Sequence, residues 1–254
     1  MIENVTIENF DDAIAVKPQN GGSYYSSCSQ NMIIRNSVVN FSVGLSIGSV
    51  PPNTNVNCIK NITFDNIQMH HPIKAIYIKT NPGENGSGII DGITYSNIHI
   101  RGSIWYPIWI GPQQQRQPGT PGNGCSFFYP IIDECPTQAL VPISNVKLIN
   151  VTLAEGVFLP GVILCNETNP CSNFLFENVR NTGFFIVQDN YVCENVQGTV
   201  INSNPNPGCF VPPPSPLVLP DFEQIQKDDP LGHDDEENLL HPNIDVLYAQ
   251  QENS

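Results

Sequence analysis

The feature that most constrains this chain is a short pattern that returns along most of its length: an asparagine, four residues alternating about apolar positions, and a second asparagine. It reads Asn4-Val-Thr-Ile-Glu-Asn9, Asn31-Met-Ile-Ile-Arg-Asn36, Asn61-Ile-Thr-Phe-Asp-Asn66, Gly92-Ile-Thr-Tyr-Ser-Asn97, Asn145-Val-Lys-Leu-Ile-Asn150 and Asn173-Phe-Leu-Phe-Glu-Asn178. Successive closing asparagines stand 27, 30, 31, 53 and 28 residues apart, the doubled interval holding an insertion. A second short strand is predicted after each copy, at Ala13–Val16, Gly44–Ile47, Ala75–Ile78, Pro107–Ile110, Gly161–Leu164 and Gly183–Val187. Short strands at this period cannot bury their apolar side alone, so each coil must stack on the next.

Two solenoids share such a period. A leucine-rich repeat needs a Leu-x-x-Leu-x-Leu ladder with one strand per repeat. Here the inward positions are Val, Ile, Phe and Tyr, which suit the pleated surface of a strand. The expectation is an all-β parallel β-helix of about seven visible coils, stacked at the inter-strand spacing of roughly 4.8 Å. The recurring asparagines then form a ladder of side-chain amides along the turns.

Composition narrows the partners. The net charge is −14, with only 10 Lys and Arg, which argues against nucleic acid or an anionic membrane. No stretch is long and apolar enough to span a bilayer. The eight cysteines (28, 58, 125, 135, 165, 171, 193 and 209) include no Cys-x-x-Cys pair and no His at metal-site spacing, so neither metal nor cofactor is expected. Cys165 with Cys171, and Cys193 with Cys209, are candidates for local staples, the connectivity otherwise staying open. Sequons stand at Asn4, Asn40, Asn61, Asn150 and Asn166, Asn166 in the most turn-like setting. Cysteines and sequons together favour an extracellular, secreted protein. Met1 is followed at once by a repeat, with no basic or apolar leader. The expectation is therefore that N-terminal coils and a signal peptide lie upstream.

Organisation follows the repeats. Residues 1–210 read as the β-helix domain, interrupted by a Gln-, Pro- and Gly-rich insertion from Pro112 to Pro142 that carries Phe127-Phe128-Tyr129. Residues 211–254 read as a tail, first Pro-rich and then acidic. A monomer is expected.

The chemistry is sought where coils present residues to one face. Asp11 and Asp12 precede the second strand of the first coil; Gly44 and Gly48 occupy the same region of the second, and Lys79 ends the strand of the third. The glycines leave room for a bound chain, and Lys79 is expected roughly 10 Å along the axis from Asp12, two strand spacings away. Two adjacent carboxyls couple, so that one can hold a proton while the other stays charged. Such a pair with a nearby cation can protonate a leaving glycosidic oxygen, activate water, and hold an acidic sugar. Read without any family context, the same residues are also a solvated acidic turn and an exposed lysine.

These blocks resemble those of the polygalacturonase family of glycoside hydrolases, family 28. Asp11-Asp12-Ala-Ile-Ala is similar to its Asp-Asp-Cys-Ile-Ala block, Gly44-Leu-Ser-Ile-Gly-Ser49 to the end of its Gly-His-Gly-Leu-Ser-Ile-Gly-Ser block, and Ile78-Lys79-Thr80 to its Arg-Ile-Lys-Thr block, in the same order from residue 1 to about 200. The resemblance implies a right-handed parallel β-helix that hydrolyses the backbone of pectin, an acidic plant-cell-wall polysaccharide, with inversion. It implies Asp11 as general acid, Asp12 as a partner in activating water, and Lys79 as the ligand of a uronate carboxylate.

The departures bear on activity. The family's upstream Asn-Thr-Asp block has no counterpart in this sequence, its His falls on Val43 and its Arg on Tyr77. Valine makes no hydrogen bond, and tyrosine lacks the cationic fork of arginine. The Cys after the Asp pair is Ala13. Three readings follow: a hydrolase with altered sugar preference, in which Tyr77 offers a stacking surface; a member that binds sugar or serves structurally without turnover; and a different β-helix activity such as a lyase. The last calls for a calcium cage of oxygen ligands that cannot be assembled from the sequence.

Overall fold

A computed structural model describes residues 1–18, 27–114, 122–182 and 190–212. The expected strand Gly183–Val187, part of the loop after residue 18, residues 115–121 and nearly all of the proposed tail lie outside the described residues.

The described elements are all strands: β1 (Ile2–Glu3), β2 (Thr6–Glu8), β3 (Asp12–Val16), β4 (Ser29–Asn40), β5 (Gly44–Val50), β6 (Cys58–His70), β7 (Ile76–Thr80), β8 (Ile89–Arg101), β9 (Ile108–Pro112), β10 (Ile143–Ala154), β11 (Gly161–Leu164), β12 (Cys171–Glu177), β13 (Arg180–Asn181), β14 (Val192–Glu194), β15 (Val196–Ile201) and β16 (Phe210–Val211). The long strands β4, β6, β8 and β10 pair in parallel, flanked by β1 and β2 on one side and by β12, β13, β15 and β16 on the other. The short strands stack as a second parallel sheet in the order β14-β11-β9-β7-β5-β3. The chain is a right-handed parallel β-helix of about six turns.

The asparagines explain how a long strand turns corners. Asn31, Asn36, Asn61, Asn66, Asn97, Asn145, Asn150, Asn173 and Asn178 all have φ between 51° and 59°. Among L-residues asparagine visits this left-handed region most readily, because its short amide bonds locally. Each such residue resets the in–out alternation. In β6 the residues with no exposed surface are Ile59, Ile62, Phe64, Ile67 and Met69, so the period of two lengthens to three across Asn61 and again across Asn66. There are two ladders rather than one. Asn66 donates to Asn36 at 2.8 Å and Asn150 to Asn97 at 3.2 Å along the closing positions, while Asn61 donates to Asn31 and Asn173 to Asn145 along the opening positions.

The first copy of the pattern is in a different register from the one its sequence indicates. Ile2 and Glu3 pair with Ile34 and Arg35, so Asn4 takes the place of Asn36 and the first interval is 32 residues, not 27. Alternation alone could not distinguish the two alignments; hydrogen-bonded pairing of Thr6 to Glu8 with Val38 to Asn40 decides it. Asn9 is therefore free of the ladder.

Inside the coils, Leu45, Ile47, Ile76, Ile78, Ile108, Ile110 and Ile163 form inward columns with no exposed surface. Phe64 stacks on Tyr95 at 4.9 Å, and the buried Tyr95 hydroxyl donates to the Leu45 carbonyl at 3.0 Å, so the polar atom is satisfied. A second apolar cluster lies outside the short-strand sheet, where Tyr77, Trp109, Val162 and Leu164 are covered by Tyr106, Cys125, Tyr129 and Leu159. The insertion thus covers one part of the outer face. Disulfides join Cys28–Cys58, Cys125–Cys135, Cys165–Cys171 and Cys193–Cys209, including both expected staples. No described helix is long and apolar enough to cross a membrane.

Candidate active site

The outward column of the short-strand sheet runs Ala15, Ser46, Tyr77, Trp109, Val162 and Val192. Its first two members are small and the rest are bulky and covered. The change in side-chain size leaves a cleft of about 800 Å³ over the first coils. Asn9, Asp11, Asp12, Lys17, Val43, Lys74, Tyr77, Lys79, Gln114 and Phe127 are among its lining.

The two aspartates have different surroundings. Asp11 is exposed; its Oδ1 accepts the Asp12 backbone N–H at 2.7 Å, and its own N–H donates to Asn9 Oδ1 at 3.3 Å. Asn9 Nδ2 in turn donates to the Asp12 carbonyl at 3.3 Å, which gives this asparagine a role in shaping the acidic turn. Asp12 is largely buried. Lys79 Nζ donates to its Oδ2 at 2.8 Å and its Oδ1 at 3.1 Å, and Ser46 Oγ donates to Oδ1 at 2.5 Å.

Asp12 and Lys79 are therefore an ion pair with side chains only 11% exposed each, not charges held apart by two strand spacings. Asp12 pairs with Gly44 on the middle strand, whereas Lys79 pairs with Gly48, four residues further along. The lysine side chain leans back over the small Ser46 and spans the interval. Desolvation lowers the Lys79 pKa, and its bonds to Asp12 oppose that.

Tyr77 does not offer the open stacking face expected of it. The residue is 5% exposed, and its ring faces the ammonium groups of Lys79 at 4.3 Å and Lys74 at 4.6 Å. Burial pushes its hydroxyl pKa up, and the oxygen accepts the Gln114 backbone N–H at 3.4 Å. Gly44, unlike Tyr77, is not among the residues lining the cleft. It is buried at φ 114°, and a Cβ there would meet the carbonyl oxygens of Lys74 and Ala75 at 2.6 Å, so the glycine serves the close approach of two coils. Val43 lines the cleft and bonds through its N–H to the Asp11 carbonyl at 2.8 Å.

Lys74 is a component that motif reasoning passed over. It lies just ahead of β7 in Pro72-Ile73-Lys74-Ala75, where a charge beside a buried strand is the only local signal. Among the described residues, no group of three His, Cys, Asp or Glu side chains is arranged to hold a metal ion. A largely buried, ion-paired carboxyl beside an exposed one, in an open groove on a rigid sheet, suits acid–base chemistry on a polymer.

Comparison with known proteins agrees with that geometry. The profile described as Glycosyl hydrolases family 28 matches residues 1–204. The chain belongs to this family. Similar relatives include the "Probable endopolygalacturonase D" of Neosartorya fischeri, 31% identical over 182 residues that cover 72% of this chain and 33% of the relative. The "Probable exopolygalacturonase X" of Aspergillus terreus is 26% identical over 223 residues, covering 82% and 46%. The "Endopolygalacturonase II" of Aspergillus niger is 34% identical over 140 residues, covering 55% and 34%. The chain thus spans between a third and a half of the length of these relatives. Asp11 and Asp12, and Lys79 far from them in the sequence, line one cleft of this family 28 β-helix.

Proposed function

We propose that this family 28 chain serves hydrolysis of glycosidic bonds in a pectin-like, acidic polysaccharide by an inverting acid–base mechanism. The exposed Asp11 carboxyl gives its proton to the leaving glycosidic oxygen as the bond to the anomeric carbon breaks. Water attacks that carbon from the opposite face and yields its proton to a carboxylate. Asp12, held by Lys79 and Ser46, shares in orienting and activating that water. With its charge balanced by Asp12, Lys79 keeps one further N–H for a sugar oxygen. The reading is carried by one observation: the exposed Asp11 stands beside the Asp12–Lys79 pair on a cleft open to solvent. The four disulfides support a place outside the cell, where such bonds persist.

Release of reducing ends from polygalacturonate, rhamnogalacturonan and an uncharged polysaccharide tests this, using the polypeptide in full as its gene encodes it. Release from an acidic polymer is expected, and none from any of the three would refute hydrolysis. Val43 favours a second reading, because it brings no hydrogen-bonding group to the cleft beside Asp11. In that reading the chain binds the polymer without cleaving it, and binding without release is its signature.

A further inference from the structure

Lys74 is 5% exposed, yet none of the ion pairs among the described residues includes it; those pairs are Arg35–Glu3, Lys79–Asp12 and Arg101–Glu155. Nor does a hydrogen bond among the described residues engage its ammonium, which lies over the Tyr77 ring at 4.6 Å and the Trp109 ring at 5.8 Å. Aromatic faces hold a cation from one side and supply no counter-charge. A cation buried this way is expensive, and a Met or Leu would fill the space without the penalty.

The other charges of the cleft define what is missing. Lys79 is balanced by Asp12, Asp11 is exposed and hydrated, and Lys17 stands exposed at the rim. Burial brings the Lys74 pKa down to about 8, with repulsion from Lys79 in the same direction and attraction from Asp12 against it. Near neutral pH the group is thus a desolvated cation facing the cleft, with its counter-ion still to come.

We propose that Lys74, seated on Tyr77 and Trp109, is the residue that takes the carboxylate of a hexuronate unit in this cleft, and so sets preference for the free acid over its methyl ester. Lys79 then holds Asp12, while Lys74 recognises the substrate's charge. Tyr77 acts through Lys74, as a positioning residue. The inference rests on the reading of the cleft as a uronan site.

Calorimetric titration of the chain with trigalacturonate and with its methyl ester, for wild type, Lys74→Met and Lys74→Arg, tests it. Wild type is expected to prefer the acid. Lys74→Met should lose about tenfold or more in affinity for the acid and little for the ester, and Lys74→Arg should keep most of the preference. Equal affinity of wild type and Lys74→Met for the acid overturns the assignment and leaves the uronan reading standing. Wild type binding neither compound removes both. If Lys74→Met does not fold, ¹³Cε-lysine NMR of the wild type decides: the lysine titrating near pH 8 should move to higher pH with the acid and stay with the ester. No movement with either overturns the proposal.

Discussion

Lys79 reaches across an intervening strand to set its ammonium 2.8 Å from Asp12 Oδ2, tying the first coil to the third through side chains that are both largely buried. Removing one partner of such a pair strands the other charge in a poorly hydrated place. Lys79→Met is expected to cost about 3 kcal/mol of stability, read as a lower urea midpoint with an unchanged slope. A midpoint equal to that of wild type would show that solvent already compensates Asp12.

Asp11 is the opposite case. Its side chain is exposed and its bonds are local, so Asp11→Asn should leave stability within about 0.5 kcal/mol. As general acid it should nevertheless lower turnover by about 10²- to 10⁴-fold with oligosaccharide affinity intact. Rates measured on the same acidic polymer decide it, and undiminished turnover would remove Asp11 from the mechanism.

The asparagine ladder can be dissected at Asn66, which combines φ 51° with a 2.8 Å bond to Asn36. Asn66→Ala loses the bond and leaves in the left-handed region a residue without the local amide bonding that lets asparagine tolerate it, at about 1–2 kcal/mol for the backbone alone. Asn66→Gly loses only the bond, roughly 1 kcal/mol. Thermal denaturation should rank wild type above Asn66→Gly and Asn66→Gly above Asn66→Ala. Equal losses in the two variants would mean that the amide bond, not the backbone, dominates.

Lys74 makes stability depend on pH in a defined direction. Its folded pKa of about 8 lies below the ordinary 10.5, so between those values the unfolded chain holds a proton that the folded chain has released. Stability from this group therefore rises with pH across that window and is smallest below it. The unfolding free energy of wild type, taken relative to that of Lys74→Met, should rise by about 3 kcal/mol from about pH 7 to about pH 10.5. A flat difference in urea titrations would mean that Lys74 is solvated in the folded chain.

Much of the architecture was legible in the chain alone, because a β-helix writes its coils into the sequence. Apolar alternation and asparagines at turn positions repeat with every coil, and the short strands β3, β5, β7, β9 and β11 fall where that repetition puts them. The order of the acidic, glycine and lysine blocks along the chain likewise indicated that Asp11, Asp12 and Lys79 share one face, since a stacked coil turns order into proximity. Two of the disulfides, Cys165–Cys171 and Cys193–Cys209, join the cysteines that spacing marked as candidates for local staples, whereas Cys125–Cys135 inside the insertion was not marked.

What only the tertiary structure decided is everything that depends on register and side-chain reach. Pairing moved Asn4 to the rung of Asn36 and left Asn9 to shape the acidic turn, a five-residue shift that the sequence hides because the alternation restarts after each asparagine. The direction of long side chains closed the Asp12–Lys79 pair, covered Tyr77 with two ammonium groups, and left Lys74 buried without a partner among the described residues. Periodicity determines which residues share a coil and a face. Which charges meet depends on a few ångströms of strand offset and on the space left by a neighbour as small as Ser46, and those exist only once the coils are stacked.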